Sequence, residues 1–136
     1  MKVVLDTNVL VAGLLNPYGA PGEIVRMTSS GLLEICHDSR ILSEYREVLL
    51  RQKFKFRPSE VEALLEQIQC SGHTVTAEPL KKRLNDPDDE MFLEAALAGG
   101  VKHLITGNHS DFSGHGQRNI EIVSPSHFLD YYRNYK

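Results

Sequence analysis

Acidic residues in four separate segments are the side chains of this sequence most able to do chemistry. Asp6 follows a short apolar run, Glu44 lies in an amphipathic stretch, several acids open a helix near residue 86, and Asp111 lies in a late polar loop. Carboxylates gathered at one place repel one another and raise each other's pKa. A hard cation with oxygen ligands is the usual compensation, so the pattern predicts a Mg²⁺ or Mn²⁺ site.

The elements that must position these acids alternate between strands and helices. Short apolar runs rich in β-branched residues predict buried strands, and 3.6-residue periodicity predicts helices. The alternation implies parallel pairing through right-handed crossovers, hence a three-layer α/β/α sandwich with a central, mostly parallel sheet of four or five strands. The predicted strands are 3–5, 32–36, 103–106 and 120–123, with a short edge strand within 73–80. The predicted helices are 8–15, 21–31, 41–54, 59–69, 85–100 and 124–135.

The topology of such a sheet sends three of the acidic segments to one rim. An open parallel sheet places its working groups beyond the carboxyl ends of its strands. Asp6 directly follows the first strand, and Asp111 lies in the loop after the strand at 103–106. The helix that starts near Asp86 begins just before that strand, so its first turn belongs on the same edge.

Glu44 and the acids of residues 86–90 need a helical-wheel argument. Glu44 lies about 100° from the centre of the apolar stripe of its helix, so it can border a cleft, whereas Glu47 faces nearly opposite. Asp86 is a natural helix N-cap. Asp88 and Asp89 have similar apolar neighbours on their own faces, and the helix dipole favours acids in a first turn by about 0.3–1 kcal/mol. The pattern alone does not choose between Asp88 and Asp89.

Length and composition fit one compact domain, residues 1–136. The chain has 41% hydrophobic and 24% charged residues, as an ordinary globular protein does. No apolar run approaches the roughly 20 residues that cross a bilayer, and the early Asp6 does not fit a signal peptide. Cys36 and Cys70 form no CxxC pair and favour core or surface roles over a disulfide. We therefore expect a cytoplasmic protein without a membrane partner.

Charge gives a mixed indication about nucleic acid. The net charge is −3, whereas proteins that bind nucleic acid by bulk charge are usually basic. Contacts to phosphates would come from local basic patches. The candidates are residues 51–58 (RQKFKFRP) and 80–83 (LKKR). Each patch fits a solvated helix end or linker equally well.

Four motifs that carry these acids resemble the motifs of PIN-domain nucleases. Their order and spacing also agree, and the resemblance covers essentially the whole chain. Within that family the chain is most similar to the VapC-like toxin components of toxin–antitoxin pairs, which carry DPDD before an Ala-rich helix and then a TG turn. The motifs are DTNVL (6–10), SEYREVL (43–49), DPDDEMFLEAALAGG (86–100) and TGNHSDF (106–112).

The resemblance assigns roles that the residues alone leave open. It places the third acid on Asp89 rather than Asp88 and the fourth on Asp111. Asn8 and Thr106 match polar residues that support the first acid. Many relatives carry Asp where this chain has Asn108, which can bind a metal-bound water but adds no charge. The expected metal ligands and catalytic residues are Asp6, Glu44, Asp89 and Asp111.

The resemblance also implies a function: endoribonuclease activity with Mg²⁺ or Mn²⁺, an RNA substrate, a small antitoxin protein as partner, and a homodimer. Two alternatives keep the fold, namely a housekeeping RNA-processing nuclease without an antitoxin and a binding module that has lost its chemistry. An aspartyl-phosphate phosphatase with Asp6 as nucleophile is disfavoured. That chemistry generally needs a second acid two residues on, where this chain has Asn8.

Overall fold

The computed structural model describes residues 1–81, 84, 87–108 and 120–134. Within these residues, strands and helices alternate as predicted. The strands are β1 (Lys2–Leu5), β2 (Glu34–His37), β3 (His73–Thr74), β4 (His103–Ile105) and β5 (Glu121–Val123). The helices are α1 (Thr7–Leu15), α2 (Ala20–Ser29), α3 (Ser39–Leu49), α4 (Pro58–Ser71), α5 (Pro87–Gly99) and α6 (Pro125–Asn134), with a 3₁₀ helix at Gln52–Phe54.

The five strands form one all-parallel sheet in the order β3-β2-β1-β4-β5. The six helices flank this sheet, which confirms the predicted α/β fold. β1 lies at the centre, paired with β2 on one side and with β4 on the other. The carboxyl ends of β1 and β4 are therefore adjacent, and residues that follow these two strands lie close together.

The core is built from the apolar runs that predicted the strands and from one stripe on each helix. Val3, Val4 and Leu5 of β1 are fully buried, as expected for a central parallel strand covered on both faces. On α5, which packs against β1, β2 and β4, the buried apolar residues include Phe92, Leu93, Ala95 and Ala96.

Several helix ends lie where local chemistry places them. Asp38 caps α3, since its Oδ1 accepts a hydrogen bond from the backbone N–H of Ile41 at 3.1 Å. Ser124 precedes α6, and its Oγ accepts from the backbone N–H of His127 at 3.2 Å. Gly100 ends α5 with φ at +61°, a conformation that glycine adopts without steric cost. The predicted cap at Asp86 lies outside the described residues.

The prediction of a helix over 41–54 is wrong at its carboxyl end. α3 stops at Leu49, Arg51 is extended, and a short 3₁₀ helix follows. Leu49 is fully buried, but Gln52 and Lys53, which would continue the stripe, are exposed. Beyond Leu49 the helix has no core-facing residue, and burial of an apolar face is what stabilises most helices in proteins.

Candidate active site

Asp6 is the first residue after β1 and lies at the centre of the carboxyl edge of the sheet. Its residue surface is only 6% exposed. Its Oδ2 accepts hydrogen bonds from Thr106 Oγ1 at 2.7 Å and from Asn8 Nδ2 at 3.3 Å. Its backbone N–H donates to the carbonyl of Ile105 at 2.9 Å, continuing the pairing of β1 with β4. Backbone and side chain are thus both held, and the orientation of the carboxylate is fixed.

Asn8 and Thr106 join the ends of β1 and β4 as well as supporting Asp6. Asn8 Oδ1 accepts from the backbone N–H of Gly107 at 3.0 Å. Thr106 Oγ1 accepts from the backbone N–H of Asn108, also at 3.0 Å. Each of these two side chains therefore bonds to Asp6 on one side and to the turn after β4 on the other.

Glu44 reaches the same region from α3. The helix is anchored by the buried Tyr45, whose hydroxyl donates to the carbonyl of Leu5 at 2.6 Å. Glu44 is half-buried, and its Oε2 accepts a hydrogen bond from Thr7 Oγ1 at 2.5 Å. Burial raises the pKa of the Glu44 carboxyl, and the negative charge of Asp6 raises it further, while the bond from Thr7 opposes the shift.

The structure distinguishes Asp89 from Asp88 and Glu44 from Glu47 by the cavity that each one lines. Asp89 is half-buried and faces a cavity of about 490 Å³ that Asp6 and Glu44 also line. Asp88 and Glu47 are exposed and line a larger cavity of about 720 Å³ next to it. Glu44 borders both. The polar residues around the smaller cavity include Asp6, Thr7, Asn8, Glu44, Asp89 and Asn108.

The smaller cavity has the donors that a hard cation prefers. Its described lining residues offer carboxylate, amide and hydroxyl oxygens, with no thiolate or imidazole among them. Mg²⁺ and Mn²⁺ favour this donor set. Within the residues that the structure describes, no three His, Cys, Asp or Glu side chains are arranged as a ready-made metal group. Asp111, the fourth predicted ligand, lies outside the described residues.

Two acids of α5 accept hydrogen bonds from the backbone of the segment that precedes the helix. Glu90 is buried, and its Oε2 accepts from the backbone N–H of Leu84 at 2.9 Å. Glu94 is also buried; it accepts from the backbone N–H of Leu80 at 3.0 Å and pairs with Arg40 at 2.7 Å. These two carboxylates tie the segment before α5 to the helix and line the larger cavity.

Some residues at the site are not singled out by the sequence argument. Thr7 is buried and bonded to Glu44, and its place inside the DTN motif is the signal that could have indicated it. Arg51 and Phe54 line the smaller cavity. The signal that could have indicated them is the basic and aromatic pattern of residues 51–58. The sequence alone did not decide whether this pattern marks a phosphate contact or a solvated helix end.

A family model described as PIN domain matches residues 2–110, most of the chain. The chain belongs to the PIN domain family, a nuclease-type family. PIN domains are typically metal-dependent nucleases, generally with Mg²⁺, and their substrates are nucleic acids. No curated protein and no solved structure matches the chain in these comparisons. Among the described residues, none of the helices has the length and apolar character needed to cross a membrane.

Proposed function

We propose that this protein is a divalent-metal-dependent endoribonuclease that hydrolyses RNA phosphodiester bonds. The observation that supports it most is the convergence of Asp6, Glu44 and Asp89 on one cavity at the carboxyl edge of the sheet. Membership of a nuclease-type family supports the same class of reaction. Asp111 completes the proposed set on the strength of the motif resemblance.

In this proposal the four carboxylates Asp6, Glu44, Asp89 and Asp111 hold Mg²⁺ or Mn²⁺. A bound ion of this kind lowers the pKa of water and neutralises charge that develops on the phosphate. Asp6 and Asp111 are proposed as direct ligands. Glu44 and Asp89 complete the shell directly or through water, or orient the attacking water.

The supporting residues have positioning roles in this proposal. Thr106 and Asn8 hold the Asp6 carboxylate in one orientation through the bonds described above. Asn108 is exposed beside them and can hold a metal-bound water without adding charge. A single firmly held ion is therefore the expected minimum.

Cleavage of RNA by the purified protein with Mn²⁺ or Mg²⁺ tests the proposal. We expect activity that EDTA and Asp6→Asn abolish. The chain offers two matched pairs of variants: Glu44→Gln and Asp89→Asn should lose activity, whereas Glu47→Gln and Asp88→Asn should retain it. Activity that survives Asp6→Asn, or equal losses within each pair, would contradict the assignment.

Metal binding can be tested without activity. A ligand at about 100 times its dissociation constant adds roughly 2.7 kcal/mol to the free energy of unfolding. Mn²⁺ should therefore raise the melting temperature of the wild-type protein and leave that of Asp6→Asn nearly unchanged. A wild-type protein that Mn²⁺ does not stabilise would favour the alternative of a binding module without chemistry.

The biological setting is also a proposal. The motif resemblance supports the toxin of a toxin–antitoxin pair, acting in the cytoplasm as a homodimer with residues 1–136 forming a single nuclease domain. Expression should then arrest growth, and the protein encoded by the neighbouring reading frame should relieve the arrest. Cleavage of RNA in vitro without growth arrest would favour the housekeeping RNA-processing nuclease.

A further inference from the structure

A short basic and aromatic segment, residues 51–57, follows α3 and borders the acidic cavity. It carries four of the 15 Lys and Arg residues of a protein whose net charge is −3. No acidic residue lies between Glu47 and Glu60. The segment is therefore a local cationic patch beside a group of carboxylates.

The backbone of the 51–57 segment brings two aromatic rings together. The 3₁₀ helix ends at Phe54, and Lys55 then adopts a left-handed conformation with φ at +58°. This turn places Phe54 and Phe56 in a stack, with ring centroids 5.5 Å apart and ring planes 13° from parallel. A left-handed conformation is uncommon for a residue such as lysine and often marks a turn or a functional site.

The two rings have different surroundings. Phe56 packs against the hydrophobic core, whereas Phe54 is half-buried and lines the cavity that also contains Asp6, Glu44 and Asp89. Phe54 is thus not among the residues that pack against the core. Its ring lies on the wall of the proposed catalytic cavity and stacks on the ring of Phe56.

The cations of the segment are available to a ligand. Arg51 pairs with Glu47 at 3.2 Å and Arg57 with Glu60 at 4.0 Å, both exposed pairs of a kind that contributes little. Among the described residues Lys53 and Lys55 form no ion pair. Lys53 Nζ lies 5.1 Å from the centroid of Phe54, an exposed contact that is weak compared with base stacking, so an incoming base can displace it.

We propose that the 51–57 segment is a platform that holds single-stranded RNA at the mouth of the cavity. A base stacks on Phe54, and the neighbouring phosphates contact Arg51, Lys53 and Lys55. Aromatic stacking combined with a positive groove is a recurring way to bind single strands. In a duplex the base faces are already stacked on one another, so Phe54 cannot use them. The inference rests on the proposed ribonuclease function and assigns the residues that hold its single-stranded substrate.

Binding measured in EDTA separates this platform from the metal chemistry. Fluorescence anisotropy with a short labelled single-stranded RNA and a duplex of the same sequence is the assay. We expect Phe54→Leu to weaken single-strand binding by about fivefold or more, since stacking on one aromatic ring contributes at least that much. Phe54→Tyr, which keeps an aromatic ring, should retain wild-type affinity, and duplex binding should not depend on residue 54.

A double lysine variant tests the phosphate contacts. Lys53→Gln with Lys55→Gln should weaken binding and reduce the slope of log affinity against log salt by about 0.7 for each phosphate that the variant no longer neutralises. The matched control is Lys2→Gln with Lys102→Gln, which removes the same charge from exposed lysines at the amino ends of β1 and β4. This control should bind RNA as the wild-type protein does.

Each result bears on one proposal or the other. Wild-type affinity in Phe54→Leu and in the 53/55 variant, an equal loss in the control pair, or no binding of RNA by the wild-type protein would overturn the platform. Cleavage that depends on Asp6 would then still support the nuclease. Binding that depends on Phe54, without cleavage in Mn²⁺ or Mg²⁺, would support the platform and contradict the ribonuclease. Matching melting temperatures confirm that the variants are folded.

Discussion

Thr106→Val tests how the Asp6 carboxylate is held. Thr106 is fully buried, and its hydroxyl donates to Asp6 Oδ2 at 2.7 Å while accepting from the backbone N–H of Asn108. Valine keeps the shape of the side chain and replaces the hydroxyl with a methyl group, which cannot form these hydrogen bonds. No cavity is created, so the change in stability reports the hydrogen bonds.

The magnitude follows from the charge of the acceptor. A hydrogen bond to a charged group contributes about 1.5–3 kcal/mol, compared with about 1 kcal/mol for a neutral pair. Asn108 is exposed, so its released N–H can bond to water at little cost. We expect Thr106→Val to lower the free energy of unfolding by about 2 kcal/mol, which lowers the melting temperature by roughly 5–10 °C in a protein of this size.

Urea unfolding of the metal-free protein at neutral pH measures this loss. The matched control is Thr28→Val, because Thr28 is also fully buried but donates to the neutral carbonyl of Ile24 in its own helix at 2.9 Å. Its loss should be about 1 kcal/mol or less. In an Asp6→Asn background, the cost of Thr106→Val should also fall to about 1 kcal/mol. Equal losses of stability in Thr106→Val and Thr28→Val would refute the reasoning. So would a cost of Thr106→Val that is the same in the Asp6→Asn background as in the wild-type protein.

Two further predictions concern carboxylates on helices. Since burial raises the pKa of Glu44, its charge opposes folding increasingly as pH rises from the ordinary value of 4.5 through the raised pKa. Glu44→Gln should therefore raise the melting temperature in EDTA at neutral pH and lose this advantage below pH 4.5; a lower melting temperature at neutral pH would contradict this. Glu94→Ala should cost about 1–3 kcal/mol in urea unfolding, since it leaves the buried N–H of Leu80 without its acceptor. Glu62→Ala, which removes an exposed partner of Arg46, is the control and should change stability little.

The fold could be predicted because local signals agreed with one another along the chain. The apolar run before Asp6 indicated a buried strand, and Gly99 and Gly100 indicated the end of α5. The same periodicity distinguished the half-buried Glu44 from the exposed Glu47. These features depend on which face of an element meets the core, and this is what a pattern of apolar residues reports.

Contacts between distant segments could not be predicted in this way. Thr7 and Glu44 are 37 residues apart, and nothing in either segment specifies their hydrogen bond. In the sequence Glu94 is one more acid on a helix. Only the structure shows that its carboxylate accepts a hydrogen bond from the backbone N–H of Leu80. Asp88 and Asp89 were separable only by motif resemblance, because the direction of the first turn of α5 depends on packing that the local pattern does not contain.

The position of β1 at the centre of the sheet determines how late in synthesis the cavity can form. Asp6 leaves the ribosome early, but its partner Thr106 is synthesised a hundred residues later. β1 likewise cannot complete its pairing until β4 exists. A nascent chain that ends between Asp89 and β4 holds Asp6, Glu44 and Asp89 but lacks the strand that pairs with β1 beside Asp6. The cavity is therefore assembled late in synthesis, and chains interrupted before β4 are expected to be inert.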